Sequence, residues 1–152
     1  MSRRGIDMRL TYFSDYAFRV LIYLALNPER RCTIQEISDA YGISKAHLMK
    51  VVNTLARAEL ILAQRGPNGG LMLARPAQQI RLGDVVRKTE DDLGLVECLR
   101  AENTCRLTQR CGLAPALGRA LAAFLAELDK QTIADIMRGE EATIRQLLTT
   151  PA

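Results

Sequence analysis

The stretch from Thr33 to Leu55, TIQEISDAYGISKAHLMKVVNTL, admits few backbone arrangements. Thr33 followed by Glu36 is a capping-box pair, in which each side chain can satisfy the other residue's backbone N–H at a helix start. Ile34, Ile37, Ala40 and Tyr41 then recur at helical spacing, and Gly42 ends the run. Gly42-Ile43-Ser44 supplies a tight turn and a new N-cap, after which Leu48, Val51, Val52 and Leu55 mark the buried side of a further helix. Helix, glycine turn, helix is the helix-turn-helix pattern. Upstream, Phe13, Ala17, Leu21 and Leu24 place a first helix over residues 12–26, stopped by Asn27-Pro28.

Two strand-like runs follow, 61–64 and 71–74, flanking the turn-rich Arg65-Gly66-Pro67-Asn68-Gly69-Gly70. A hairpin directly after a helix-turn-helix is a wing. Residues 81–86 start a short helix, broken by a polar and acidic stretch at 89–94. Pro115, favoured in a first helical turn, opens a long run to about Met137 with Leu117, Leu121, Phe124, Leu125 and Leu128 in one stripe. Such a helix would be roughly 33 Å long. The remaining elements are too few to cover its stripe, which predicts a dimerisation helix; packing within one chain is the alternative. The expected fold is mainly α with a small β-wing. Residues 1–81 would form a winged helix-turn-helix domain, 82–114 a short helix and a cysteine loop, and 115–152 the dimerisation helix and a C-terminal tail.

Among 152 residues, hydrophobic types make up 48 %, aromatics only 5 % and tryptophan none, so the core should be aliphatic. No run approaches the roughly 18 apolar residues of a membrane span, and MSRRGIDMRL lacks an apolar signal core. These features predict a cytoplasmic protein that does not engage a membrane. Charge is uneven. Residues 1–81 hold 12 Lys/Arg against 6 Asp/Glu, whereas 82–152 hold 9 against 11. The basic half is therefore the one suited to a polyanion.

In a helix-turn-helix the second helix enters the major groove of double-stranded DNA and its first residues meet base edges. Here these are Ser44, Lys45, Ala46, His47 and Lys50, all off the apolar side. Lys45 and Lys50 could meet phosphates or guanine acceptors, while Ser44 could be used up as a cap. Arg65 and Asn68 at the wing tip could reach the minor groove. Arg3, Arg4 and Arg9 could add backbone contacts or form a basic tail. His47 is the only histidine, and no nucleophile–base pair stands out, so an enzyme is not expected.

Of four cysteines, three fall within fourteen residues: Cys98, Cys105 and Cys111. Soft thiolates select zinc, cuprous copper or iron–sulfur clusters, and three ligands leave one position open. Intervals of six and five residues are too wide for the CxxC pairs of zinc ribbons. A reactive iron–sulfur centre fits better, with unpaired thiols as the alternative. Cys32 lies outside this group and reads as a small, partly buried residue.

MRLTYFSDYAFRVLIYLA at 8–25, ISKAHLMKVVNTL, RGPNGGLMLARP, IRLGDVVRKTE and the three-cysteine loop followed by a helix ending LDKQTIADI together resemble the dimeric winged-helix iron–sulfur regulators, and within them the nitric-oxide-sensing repressors. The resemblance implies a homodimer in which Cys98, Cys105 and Cys111 ligate a cluster, [4Fe-4S] in preference to [2Fe-2S]. A branch of the family that regulates cluster biogenesis carries a histidine three residues after its third cysteine; Ala114 stands there instead. The family's other candidate fourth ligand is an aspartate early in the first helix, given by the partner subunit, which corresponds to Asp15. An acid in a first helical turn is also favoured by the helix dipole alone. The implied function is a repressor that releases its operator on reaction with nitric oxide and derepresses detoxification genes. A regulator reading iron or cluster supply is the first alternative. A small electron carrier is the second, and it leaves the wing and the basic half unexplained.

Overall fold

The computed structural model describes residues 9–149, so Arg3 and Arg4 lie outside the described residues. Six α-helices and one hairpin follow in chain order: α1 Tyr12–Leu26, α2 Ile34–Tyr41, α3 Lys45–Arg57, β1 Ile61–Gln64, β2 Gly70–Leu73, α4 Leu82–Thr89, α5 Leu113–Leu128 and α6 Glu141–Thr149. The fold is mainly α with a small β-wing. No helix among the described residues is long and apolar enough to cross a membrane.

The caps explain why the first three helices begin and end where they do. Thr11 accepts the Ser14 N–H at the start of α1, and Asn27 closes it. Thr33 and Glu36 form the reciprocal capping box of α2. Gly42 ends α2 in the left-handed region at φ 64°, which a side chain would strain. Ser44 then caps α3 by accepting the His47 N–H. Leu48, Val51, Val52 and Leu55 of α3 are buried against Ala17, Val20, Leu21 and Leu24 of α1 and Ile37 of α2 in one aliphatic core.

β1 and β2 pair antiparallel with Ile61 opposite Leu73 and Gln64 opposite Gly70. Strand β2 begins one residue earlier than the apolar run suggests. Cys32 adds a third, one-residue rung: its N–H donates to the Leu71 carbonyl at 2.8 Å and its carbonyl accepts from the Leu71 N–H at 2.7 Å. The hairpin is thus anchored on its inner edge to the α1–α2 connection.

The long C-terminal helix expected to reach Met137 stops at Leu128. It spans 16 residues, about 24 Å. Two long-range interactions turn the chain. Asp129 at the helix end forms a two-pronged ion pair with Arg87 of α4, both bonds 2.7 Å. Gly83 lets this pair approach, since a Cβ there would lie 1.9 Å from the Asp129 carboxylate. Beyond it the chain runs back beside residues 80–82, with Leu82 N–H donating to Gln131 and Ile133 N–H to Ile80. Ile133, within the span expected to be helical, is completely buried in the same core as α1 and α3. The expected tail also folds: Ile144 and Leu148 of α6 pack onto that core, and Arg145 donates to the Leu26 carbonyl at the end of α1. The C-terminal segment therefore braces the N-terminal domain.

Helix α5 has no buried residue. Leu117, Leu121, Phe124 and Leu128 line an apolar groove of about 470 Å³ with Leu10 and Leu93.

Candidate DNA-binding face and cysteine loop

The outward side of α3 carries Lys45, Ala46, His47 and Lys50, all exposed. Ser44 lies at its start with its oxygen occupied by the cap bond. Arg65 and Asn68 are exposed at the wing tip, and Arg65 borders with Lys45 one cleft between the start of α2, α3 and the wing. The structure thus brings Lys45 and Arg65 to one cleft, while Ser44, His47, Lys50 and Asn68 are exposed on α3 and the wing without lining it. Arg9 is elsewhere; it borders the apolar groove on α5 together with Glu90 and Asp92.

His47 is backed by α1. Its ring lies 6.3 Å from that of Tyr16, and the Arg19 guanidinium stands over both Tyr16 and Tyr41 at 5.9 and 5.7 Å. Burial pushes the Tyr41 hydroxyl up to about 12, so Tyr41 stays neutral beside Arg19. Arg19 also holds Asp15: two bonds of 2.9 and 3.3 Å join them one helical turn apart. The Asp15 carboxylate is 46 % exposed and remains open to solvent on its other side. A short path thus runs from Asp15 through Arg19 and Tyr16 to the start of α3.

The loop between α4 and α5 is folded into successive turns. Glu97 accepts both the Thr104 N–H and hydroxyl at 2.7 and 2.8 Å, tying together the backbone just before Cys98 and just before Cys105. These two bonds hold the Glu97 carboxyl below the usual carboxylate range. Asn103 accepts the Cys105 N–H and donates to Thr108, whose hydroxyl returns to the Cys105 carbonyl. Cys111 N–H donates to Leu107 at 2.8 Å, just ahead of α5. All three thiols are free; Cys98 is half-buried, Cys105 and Cys111 exposed.

Among the described residues, no three His, Cys, Asp or Glu side chains converge as holders of one metal ion. As arranged, the cysteines do not form a mononuclear site, which needs sulfurs about 2.3 Å from one centre. In kind, the donor set suits an iron–sulfur cluster: the ligands are soft thiols on one loop, and a cluster spreads them over different irons. Cys32 is unlike the other three. It is fully buried under the wing and burial pushes its thiol up, so it stays protonated and a poor ligand.

One feature of this region has no clear signal in sequence. The Glu90 carboxylate, at the end of α4 where the cysteine loop begins, accepts the Thr11 N–H at 2.8 Å and the Thr11 hydroxyl at 2.9 Å. It also accepts from the hydroxyl of Ser14, which is completely buried and sits 2.7 Å from the Thr89 hydroxyl. The start of α1 and the start of the cysteine loop are therefore tied by one acidic side chain, across more than 70 residues of sequence.

Comparison with known proteins places this architecture. Residues 10–139 match the Rrf2 family, described as iron-dependent transcriptional regulators. Among solved structures, T. potens IscR is similar with a TM-score of 0.69 at 24 % identity, over 90 % of this chain and 92 % of that one. CymR of B. subtilis, described as a global cysteine regulator, aligns with a TM-score of 0.65 at 23 % identity, over 85 % and 95 % of the two chains. The oxidized form of S. aureus CymR gives a TM-score of 0.65 at 24 % identity, over 86 % and 97 %. At these identities the solved structures establish a shared fold. With the winged helix, the loop and α5 all inside the matched span, the chain belongs to the Rrf2 family of transcriptional regulators.

Proposed function

We propose that this regulator is an iron–sulfur-dependent repressor of the NsrR kind, a homodimer that binds operator DNA and releases it on exposure to nitric oxide. The observation that carries the reading is the pairing of three free cysteines on one turn-rich loop with a solvent-open aspartate at the start of α1. Cys98, Cys105 and Cys111 would hold the cluster, [4Fe-4S] in preference to [2Fe-2S]. Asp15 of one subunit would complete the partner's site, because Ala114 occupies the place of the histidine used elsewhere in the family. The cluster would supply an iron atom open to a small diatomic ligand.

The chain's own part is electrostatic. When Asp15 serves the partner's site, Arg19 loses its carboxylate and stays over Tyr16 and Tyr41. When Asp15 is released, it re-forms the pair with Arg19, whose neighbour Tyr16 supports His47 on α3. The recognition helices of a dimer must lie about 34–36 Å apart to enter successive major grooves. A small change at the start of α1 can therefore separate a DNA-competent state from an incompetent one. The partly exposed stripe on α5, with Phe124 41 % exposed, is the surface suited to dimerisation.

Full-length protein purified without oxygen should carry iron and sulfide, absorb in the visible range, and lose operator DNA on titration with nitric oxide. Asp15→Ala should retain thiolate-bound iron but change the spectrum and the nitric oxide reaction. Protein that never retains iron and sulfide, or that holds DNA equally with and without nitric oxide, contradicts the proposal. A second reading, regulation by iron or cluster supply, is favoured by the iron-dependent character of the family. Release of DNA on cluster loss alone, with nitric oxide without effect, would select it.

A further inference from the structure

Met49 is 53 % exposed in the middle of α3, the helix that faces DNA in a winged helix. On the helix surface it stands between Lys45 one turn before it and Asn53 one turn after it, with Lys50 adjacent, and the cleft beside it is floored by Ile34, Val52 and Leu71. Met49 does not belong to the buried stripe of α3, which runs through Leu48, Val51, Val52 and Leu55. It borders an open cleft of about 540 Å³ whose other walls include Lys45, Asn53, Gln35, Arg65 and Pro67. A large apolar side chain is thus left half in water beside Lys45, forgoing about half of the roughly 1.5–3 kcal/mol that full burial supplies.

The charges around Met49 suit a polyanion, and they select the occupant of the cleft. Lys45, Lys50 and Arg65 can meet phosphates. Methionine cannot; it has no donor and only a weak acceptor sulfur. Along the floor of a major groove the base edges present donors, acceptors and one apolar group, the C5-methyl of thymine. A flexible, polarizable thioether fits such a projecting methyl.

We propose that Met49 is a base-reading residue that packs on the C5-methyl of a thymine in each operator half-site. The inference rests on α3 entering the major groove in the DNA-bound state of the proposed function, and loss of nitric oxide sensing alone would leave it standing. It assigns sequence discrimination to an apolar contact beside the lysines, which supply attraction that is largely indifferent to sequence.

Deoxyuridine differs from thymidine only by that methyl, which allows a direct test. A binding site is first enriched from a randomised duplex library with the full-length protein, and each thymine is then replaced by deoxyuridine. One thymine per half-site should lose about four-fold in affinity on replacement, the effect of one buried methyl at about 0.8 kcal/mol. Met49→Ala should bind the thymine duplex correspondingly more weakly and should show no further loss with deoxyuridine at that position. Met49→Leu should preserve the preference. Met49 is exposed, so Met49→Ala should unfold at the same temperature as the wild type. Met49→Ala with unchanged affinity, or deoxyuridine effects equal in wild type and variant at every thymine, would overturn the assignment and leave the cleft to a protein partner. Failure to enrich any site would overturn both this assignment and DNA reading by α3.

Discussion

Glu90→Ala tests the tie between the DNA-binding domain and the cysteine loop. In the wild type a single carboxylate oxygen accepts from the Thr11 N–H, the Thr11 hydroxyl and the Ser14 hydroxyl. Proton bookkeeping fixes the direction of the buried part. Ser14 has one hydroxyl proton and donates it to Glu90; Thr89 donates either to Ser14 or to the Val85 carbonyl. Removing Glu90 leaves the buried Ser14 hydroxyl with Thr89 as its remaining partner and returns Thr11 to water. One buried bond to a charged acceptor is worth about 1.5 kcal/mol, and the exposed N-terminal contact about 0.5 kcal/mol. The expected loss is about 2 kcal/mol, or a fall in melting temperature of roughly 4–8 °C for a domain of this size. Urea unfolding of wild type and variant at matched concentration measures it, matching being needed because an oligomer's stability depends on concentration. Glu90→Gln keeps an acceptor without its charge and should recover about half of the loss. A loss under about 0.5 kcal/mol for Glu90→Ala, or equal losses for the two variants, refutes the reasoning.

Single replacement of Cys98, Cys105 or Cys111 by Ala should abolish iron and sulfide retention, while Cys32→Ala should not; visible absorbance and iron analysis decide, and full iron content in any of the three removes that residue from the ligand set. Lys50→Ala should weaken DNA binding by about 1–3 kcal/mol if the lysine meets a guanine edge, or chiefly flatten the salt dependence if it meets phosphate; unchanged affinity and slope would leave Lys50 as plain surface. The Glu97–Thr104 tie should depend on pH. Because the folded carboxyl lies below its ordinary value, its contribution is present above the unfolded carboxylate range near 4.3 and disappears as pH falls through the lowered folded value. Hydrogen exchange at the Thr104 amide should accelerate across that acid window relative to Glu97→Gln, and a pH-independent ratio would show that the tie does not depend on the Glu97 charge.

The helix-turn-helix and its wing were legible in the sequence because each of their signals is local. The Thr33–Glu36 box, the left-handed Gly42, the Ser44 cap and the 3.6-residue spacing of Leu48, Val51, Val52 and Leu55 act within a few residues of one another. The turn around Pro67-Asn68 marks its hairpin in the same way. The three cysteines were equally visible, as a composition anomaly on a polar loop. What the sequence could not display depends on residues far apart. The end of α5 at Leu128 is set by Arg87 and by the return of Ile133 against Ile80, whereas the apolar spacing through Ile136 reads on as helix. Leu48 and Met49 are adjacent and both apolar; only packing against α1 and α2 decides that the first is buried and the second faces outward. Asp15 is acidic in a first turn on either reading, and the fold adds Arg19 as its partner. Glu90 reads as one more acid in a polar stretch until tertiary structure brings it to Thr11 and Ser14. Local backbone preferences act through neighbours along the chain and can be read from it, whereas burial and long-range charge pairing exist only once the chain has closed on itself.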